Sequence, residues 1–329
     1  MKKYENCSLG RFKMMQDYSQ DYKSILEAYA QAGGTPSIFK NQNIAHLIIN
    51  KNKVIGSRSI DGLILMPEET AYGVDIELKV EKGKKIEYPV HLCFGVLPKE
   101  GIQEINIKAK IEDGAKIQLL AHCVFPNAIN VVHRMNAEIE VGDNAYYGYD
   151  EVHFHGEYGG IEVVPKAKIN VGKNSHLVTN FSLLKGRVGI LDLDYVVEIL
   201  ENSTLDMTAK IYGYGDDRIK IREAGYLTGK SSRGLIKSRI AVKDYAQSEV
   251  ISELTASAPY ARGHVDCIEI IQGNAQAKAV PIVNVTNEYA KVTHEAAIGS
   301  VDKKQIETLM ARGLEKEKAI DLVVSGMLK

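Results

Sequence analysis

Short runs of Val, Ile and Tyr, spaced by polar residues, make up most of the chain between residues 45 and 298. In residues 45–49, 73–80 and 137–141, for example, apolar side chains recur over a few positions, and Gly, Asn, Asp or Lys separates one segment from the next. Period-two alternation in short segments bounded by turn residues indicates β-strands. Helical periodicity is hard to find here, so we predict that the middle of the chain is all β.

A repeated unit runs through this β region: a strand, a small polar turn, an Ala or Ser, and another strand. The small residue recurs at Ala115, Ala145, Ser175, Ser203, Ala246, Ala275 and Ala290. Subtracting each position from the next gives steps of 30, 30, 28, 43, 29 and 15. A step near 30, with one insertion and one half-step, predicts a stacked β-solenoid in which each coil pairs with the open edge of the previous one. A sandwich of hairpins is the alternative, although sandwiches do not enforce a constant step.

Helical stripes flank the β region on both sides. From residue 20 to 32 apolar side chains recur at helical spacing, and a Gly-Gly pair follows. Two further stripes, in residues 305–310 and 315–328, predict a helical hairpin with an Arg-Gly turn. This hairpin either covers the last open edge of the solenoid or docks a partner, and the pattern does not choose between the two.

We therefore divide the chain into three regions. Residues 1–44 are partly helical, residues 45–298 form the solenoid, and residues 299–329 form a helical module.

The composition and charge exclude several classes of protein. Hydrophobic residues make up 45% and charged residues 25%, which is ordinary for a globular protein and too apolar for a disordered one. Lys and Arg number 41 against 42 Asp and Glu, so the formal net charge of -1 creates no overall basic field for nucleic acid. Apolar runs fall short of the roughly 20 residues that cross a bilayer. No apolar stretch follows the N-terminal lysines, so we expect no secretory signal.

Short motifs narrow the function further. The sequence contains no GxxxxGK[ST], no GxGxxG ahead of a helix, no GxSxG and no HExxH, so we expect no nucleotide bound through a P-loop of this chain. The four cysteines, Cys7, Cys93, Cys123 and Cys267, lie far apart and form no CxxC. This spacing favours a reducing cytoplasm over a disulfide framework. We expect a cytoplasmic protein with neither nucleic-acid nor membrane partners.

Thiol, imidazole and carboxylate groups near the end of the β region form a candidate metal site. Asp266 precedes Cys267, and His294 precedes Glu295, which lies 28 residues after Cys267. Residues one coil apart in a solenoid are neighbours in space, so we predict that these four side chains hold iron or zinc. His264 is an accessory candidate. The alternative for a lone strand cysteine is a small core hydrophobe.

A second group of candidates lies earlier in the chain. Cys123 follows His122 in an apolar segment, and His153 and His155 flank a phenylalanine. Two residues that are separated by one position in a strand point to the same face, so these two histidines are further accessory candidates.

Four stretches of the sequence carry a resemblance to a known family. They are residues 294–302 (HEAAIGSVD) with Gln305, Leu309, Arg312, Gly313, Leu314, Glu317, Ala319 and Gly326 downstream; residues 232–236 (SRGLI); residues 261–281; and residues 121–126 (AHCVFP) with Val132 and His133. Together they resemble the SufB/SufD family, the scaffold proteins of the SUF system for iron-sulfur cluster assembly. The resemblance runs from about residue 60 to residue 329.

The resemblance implies a fold and a role. The family fold is a parallel β-helix, so the expected fold class is mainly β: a right-handed parallel β-helix with a short N-terminal helical region and a C-terminal helical hairpin. The implied role is a non-catalytic scaffold that holds an iron-sulfur cluster transiently. Its implied partners are a second copy or a SufB/SufD paralogue, bound through the β-helix, the SufC ATPase, bound through the C-terminal helices, and a sulfur donor.

The resemblance also implies roles for single residues. Cys123 falls where SufB has its sulfur-receiving cysteine. His294 and Glu295 fall on a segment whose glutamate is implicated in cluster formation. SufD-like chains have His-Gly there, so this pair favours a SufB-like chain. The family spacing counted back from Glu295 lands on Asp266 rather than on Cys267, and either residue remains the candidate ligand.

The C-terminal helices supply the residues expected to bind the ATPase. They are Ile306, Leu309, Met310, Arg312, Leu314, Ala319, Leu322 and Val323. One alternative function is a SufD-like partner that binds SufC and holds no cluster. Another is a β-helical enzyme acting on carbohydrate, which the absence of Trp and the dispersed acidic residues disfavour.

Overall fold

The computed structural model describes residues 19–328. This part begins with helix α1 (Ser19–Gln31) and a 3-10 turn (Pro36–Lys40), and it ends with helices α2 (Lys303–Ala311) and α3 (Lys316–Met327). Nineteen strands lie between them. No helix in the described range is long and apolar enough to cross a bilayer.

The strands form two sheets, sheet A and sheet B. Sheet A contains β1 (His46–Asn50), β2 (Lys53–Arg58), β5 (Val90–Gly95), β7 (Lys116–Phe125), β9 (Tyr146–His155), β11 (His176–Lys185), β13 (Thr204–Gly213), β15 (Arg233–Val242), β17 (Arg262–Ile271) and β19 (Lys291–Gly299). Sheet B contains β3 (Leu63–Glu69), β4 (Gly73–Val80), β6 (Glu100–Ile111), β8 (Asn130–Val141), β10 (Ile161–Val171), β12 (Ile190–Ile199), β14 (Arg218–Leu227), β16 (Gln247–Ala256) and β18 (Gln276–Val285). From β4 onward, successive strands alternate between the sheets.

The strand pairing is that of a β-solenoid. From β4 onward, each strand pairs in parallel with the strand two places further along the chain. The solenoid has about eight turns, and strands make up 57% of the chain. Within the described residues, antiparallel pairing is confined to β1 with β2 and β3 with β4. A sandwich of hairpins would pair neighbouring strands antiparallel throughout, so the solenoid prediction is confirmed. The division into three domains remains a prediction.

The corners of the solenoid correct one part of the predicted repeat. The chain enters sheet A from sheet B at a series of evenly spaced small residues: Ala115, Ala145, Ser175, Ser203, Ser232, Ala261 and Ala290. Ala246 and Ala275 lie at the opposite corners, where the chain passes from sheet A to sheet B. The long step from Ser203 to Ala246 is therefore no insertion, because Ser232 divides it into one full coil and one half-coil. Small residues therefore occur at both kinds of corner, and along the sequence the positions of one kind alternate with those of the other.

Helix α1 covers the outer face of the first coils. Its side chains Ile25 and Tyr29 pack against Cys93 and Val124, which lie on the outer side of sheet A. Strand β5 is therefore buried on both faces. This double burial explains why its sequence is continuously apolar rather than alternating.

Helices α2 and α3 lie against the outer face of sheet A near its other end. Val324 of α3 and Leu328, which directly follows α3, pack with Ala241 of β15. The Tyr212 hydroxyl donates a hydrogen bond to Asp321 over 3.0 Å. The hairpin thus lies along the side of the solenoid. Strand β19, at the edge of sheet A, remains exposed along its length.

Candidate functional site

A buried polar group surrounds Cys123 inside the solenoid. The register of β7 and β9 pairs Cys123 with His153 and places Glu151 one inward position away. The Cys123 thiol lies 3.9 Å from Glu151 Oε1, and His153 Nε2 lies 2.7 Å from the same oxygen. The Tyr195 hydroxyl, from sheet B, donates to Glu151 Oε2 over 2.7 Å. With His155, which is bonded to His153, we call these residues the Cys123 cluster.

A chain of hydrogen bonds fixes the two imidazoles of this cluster. His155 Nδ1 lies 2.9 Å from the Arg187 carbonyl oxygen, which can only accept, so the His155 proton is assigned to Nδ1. Burial lowers the pKa of His155 to about 3, so this ring is neutral and its Nε2 accepts. His153 Nδ1, 3.1 Å away, is then the donor. His153 therefore presents Nε2 towards Glu151 and Cys123.

The Cys123 cluster lies in a strongly desolvated environment. Burial raises the pKa of the Cys123 thiol well above its ordinary value, and the Glu151 carboxylate raises it further. Burial raises the pKa of Tyr195 in the same way. Because the thiolate is the reactive form of cysteine, a thiol in this state is a weak nucleophile. Cys123 has no exposed surface, so a reagent can reach the sulfur only if a coil opens.

Three members of this neighbourhood were not predicted: Glu151, Tyr195 and His133. Glu151 lies 28 residues after Cys123, close to the length of one coil. The coil length could therefore have predicted that Glu151 lies near Cys123. His133 is fully buried on β8, and neither of its ring nitrogens has a hydrogen-bond partner. Its ring centre lies 5.0 Å from that of Phe125. No periodicity distinguishes Tyr195 from the other inward residues of sheet B.

A second polar group surrounds Cys267 in the later coils. Cys267 is fully buried, and its sulfur lies 3.5 Å from the Ser252 hydroxyl. Glu269, the next inward residue of β17, accepts a hydrogen bond from Ser248 over 2.8 Å. Glu223 of β14 is also buried, and desolvation raises its pKa to about 8. Burial also raises the pKa of the Cys267 thiol, and Glu269 and Glu223 contribute to that rise.

The predicted site of Asp266, Cys267, His294 and Glu295 is split between the two faces of sheet A. Strands β17 and β19 are neighbours, and their register pairs Asp266 with Glu295 and Cys267 with Ala296. Side chains alternate between faces along a strand. Cys267 and His294 therefore lie on the inner side, and Asp266 and Glu295 on the outer side. The structure does not bring Cys267 and Glu295 together.

The outer side of this edge carries its own polar residues. Asp266 forms an ion pair with Arg239, whose guanidinium also donates to the Asp266 carbonyl oxygen over 3.1 Å. His264 Nδ1 lies 2.8 Å from the Thr293 hydroxyl. Glu295 is exposed beside Asp266. Asp266 is therefore already engaged by a cation, whereas the Glu295 carboxylate faces solvent.

Comparison with known proteins identifies the family. Residues 99–327 match the family described as "SUF system FeS cluster assembly, SufBD core domain". The chain belongs to the SufBD family. It is 36% identical over 309 residues to an iron-sulfur cluster assembly SufBD family protein of Methanocaldococcus jannaschii, which covers 94% of this chain and 98% of that protein. A second such protein, of Pyrococcus horikoshii, is 35% identical over 319 residues, covering 97% of each chain.

Membership of the SufBD family confirms the predicted resemblance and the family role in iron-sulfur cluster assembly. The Cys123 cluster and the Cys267 group both lie within the residues that match the family. The buried thiols and the carboxylate and imidazole side chains beside them therefore lie inside the family core.

The residues predicted to bind the ATPase fall into three sets in this SufBD chain. Ile306 and Val323 belong to the apolar group that packs the hairpin onto sheet A, and Ala319 is fully buried. Leu309 and Leu314 are half-buried. Exposed members are Met310 and Leu322, with 43% and 52% of their surface accessible, and Arg312. Met310 and Leu322 are therefore the predicted residues with exposed apolar surface.

Proposed function

We propose that this chain is a non-enzymatic cytoplasmic scaffold on which iron-sulfur clusters are assembled and from which they are released. The observation that carries the proposal is the pair of buried thiols, Cys123 and Cys267, each accompanied by oxygen or nitrogen donors in the interior of one β-helix. Thiolates select iron-sulfur clusters, and harder carboxylate and imidazole ligands hold them less firmly. Such mixed donor sets suit a cluster that is held transiently.

In this proposal Cys123 accepts sulfur and the residues around Cys267 hold the cluster. Cys267 and His294 share the inner side of the last coils, and Asp266 and Glu295 share the outer side. The edge of β19 is exposed in the described range, so a second protomer can add to it. We propose that a second copy or a SufB/SufD paralogue docks there and completes the ligand set.

Reconstitution with iron and sulfide under anaerobic conditions tests the cluster proposal. Wild-type protein is expected to develop the broad visible absorption of a cluster. Cys267→Ala and Glu295→Ala are each expected to reduce that absorption to near background, because each removes a ligand from a site with few ligands. Cys93→Ala is the matched control, since Cys93 is equally buried but lies under α1.

An unchanged absorption in both Cys267→Ala and Glu295→Ala would contradict cluster binding at this edge. No cluster in the wild type would favour the alternative, a SufD-like partner that binds the ATPase and holds no cluster. One observation supports that alternative: Cys267 is fully buried and on the opposite face from Glu295.

The docking prediction concerns Leu322. We propose that the hairpin of α2 and α3 binds a SufC-type ABC ATPase, which supplies the nucleotide that this chain does not bind. Leu322→Asp places a charge in the expected interface and should cost about 2 kcal/mol of binding, or about 30-fold in Kd. Titration of the full-length protein with the ATPase measures the loss. Ser325→Asp, an exposed position on the same helix, is the control.

Leu322→Asp should leave the melting temperature unchanged, because Leu322 is half exposed and outside the packed side of α3. A complex that retains wild-type affinity in Leu322→Asp and in Met310→Asp would show that the hairpin is not the docking module.

A further inference from the structure

The Cys123 cluster has the composition of a metal site. Cys123 Sγ, Glu151 Oε1 and His153 Nε2 all lie within 4.8 Å of one another. Among residues 19–328, no other set of three His, Cys, Asp or Glu donors converges in this way. Sulfur, carboxylate oxygen and imidazole nitrogen together are donors that iron and zinc accept, and that magnesium and calcium do not favour.

Two of these donors are held from behind by further hydrogen bonds. His153 Nδ1 donates to His155, and His155 donates to the Arg187 carbonyl oxygen, so the lone pair of His153 Nε2 is directed at Glu151 Oε1. Glu151 Oε2 accepts from the Tyr195 hydroxyl, which leaves Oε1 facing Cys123 and His153. Outer partners of this kind fix the tautomer and the direction of metal ligands.

The charges of the group also balance around a divalent cation. His153 Nε2 and Glu151 Oε1, 2.7 Å apart, are both acceptors in this arrangement, so a proton or a cation must lie between them. A thiolate from Cys123, a carboxylate from Glu151 and a neutral imidazole from His153 carry two negative charges. A divalent ion makes the total neutral, which is the condition for burying charged groups in an apolar interior. A bound cation would also stabilise the thiolate that desolvation otherwise disfavours.

Three protein donors leave room for one more ligand. Zinc sites with three protein ligands keep a fourth position for water or substrate. A cavity of about 20 Å³ lies beside Tyr195, but its walls are almost entirely apolar and include none of the three donors, so the fourth ligand is not assigned to it.

We propose that Cys123, Glu151 and His153 bind one divalent transition-metal ion, iron(II) or zinc(II), inside the β-helix and independently of any cluster. The ion is mononuclear and needs no sulfide. Cluster holding near Cys267 uses other residues, so either proposal can fail without the other, whereas sulfur acceptance by Cys123 would use the same thiol as the ion.

Cobalt(II) titration of the chelator-treated full-length protein, under anaerobic conditions and without sulfide or a sulfur donor, tests the proposal. We expect one equivalent of cobalt to bind, with a thiolate-to-cobalt charge-transfer band. Zinc(II) and iron(II), added in separate arms, should each displace it, and the more effective of the two identifies the preferred ion. Elemental analysis after gel filtration measures the stoichiometry.

Variants locate the ion. Cys123→Ser, which is nearly isosteric, should abolish the charge-transfer band, and His153→Gln should weaken binding by at least ~10-fold to ~100-fold. Cys93→Ser, which alters a buried cysteine under α1 and outside both polar groups, should retain the full band. Circular dichroism establishes that each variant is folded. Absence of stoichiometric binding to the wild type, or a band that survives in folded Cys123→Ser, would overturn the proposal.

Discussion

Replacing Glu223 with glutamine is expected to stabilise the protein, and the gain should grow with pH. Glu223 points into the solenoid with almost no exposed surface, and its Oε2 has no hydrogen-bond partner. Burial raises the pKa of this carboxyl to about 8 from an ordinary value of 4.5. The folded protein must therefore either keep the proton or bury an unpaired negative charge.

The sign of the pH dependence follows from proton binding. Between pH 4.5 and about 8 the folded state holds the Glu223 proton and the unfolded chain has released it. Stability therefore falls as the pH rises, by about 1.4 kcal/mol per pH unit at most, and the loss is complete above the folded-state pKa. Glutamine does not titrate, so the variant should be more stable than the wild type by about 3 to 5 kcal/mol above pH 8. Below pH 4.5 the two should be nearly equal.

Chemical denaturation of both proteins across this pH range measures the effect. The difference between variant and wild type cancels the other titrating groups, including His155, whose lowered pKa acts in the opposite direction. Glu138→Gln, at an exposed position on β8, is the control and should show no comparable gain. A difference that stays constant between pH 5 and pH 9 would show that Glu223 does not titrate as described.

Most of the fold could be predicted from the periodicity of apolar and small residues in the sequence. Most strands were recognisable because apolar inward residues alternate with polar outward ones. The coil length was recognisable because small residues mark the corners. The misinterpreted step between Ser203 and Ala246 shows the limit of that signal. Ser232 fills the missing corner, but it lies in a polar run, Lys230 to Arg233, whose composition does not distinguish a corner from an insertion. The parallel pairing of β13 with β15 in the structure shows that Ser232 is a corner.

The position of the hairpin could not be predicted in the same way. Apolar stripes on α2 and α3 predict that each helix packs on something, but not on what. The contact with Ala241 and Tyr212 depends on residues that lie several coils earlier in the chain. No sequence period connects those residues with the hairpin.

For the sites, the prediction depended on whether two residues on neighbouring coils point to the same face of the sheet. A spacing that differs from the coil length by one residue puts them on opposite faces. The register of β17 and β19 pairs Cys267 with Ala296, so Glu295, one position short of that partner, lies on the opposite face. The register of β7 and β9 pairs Cys123 directly with His153, so these two side chains point the same way. At β7 and β9 one coil is 30 residues long. Counting 30 residues from Cys123 would have predicted His153 as its neighbour, together with Glu151 two positions earlier on the same face. Partners contributed by sheet B, such as Tyr195, need the distance between the sheets, which no spacing reports.

The opposite result is expected for another buried glutamate, Glu151. Its carboxylate accepts from the Tyr195 hydroxyl and contacts His153 Nε2 and the Cys123 thiol. Glu151→Leu removes the acceptor and leaves the other polar atoms buried without a partner. Metal-free protein should lose about 2 to 5 kcal/mol of unfolding free energy. Denaturant unfolding in the presence of chelator measures the loss.

The contrast between the two glutamates tests whether partners, rather than burial, determine the energetic role of an acid inside this β-helix. Glu151→Gln should lose much less than Glu151→Leu, because the amide oxygen can still accept from Tyr195 and the amide N–H can donate to His153 Nε2. Equal losses in the two variants would mean that the hydrogen bonds contribute little. Glu223, with an unpaired oxygen, is instead expected to lower stability once the unfolded chain can ionise it.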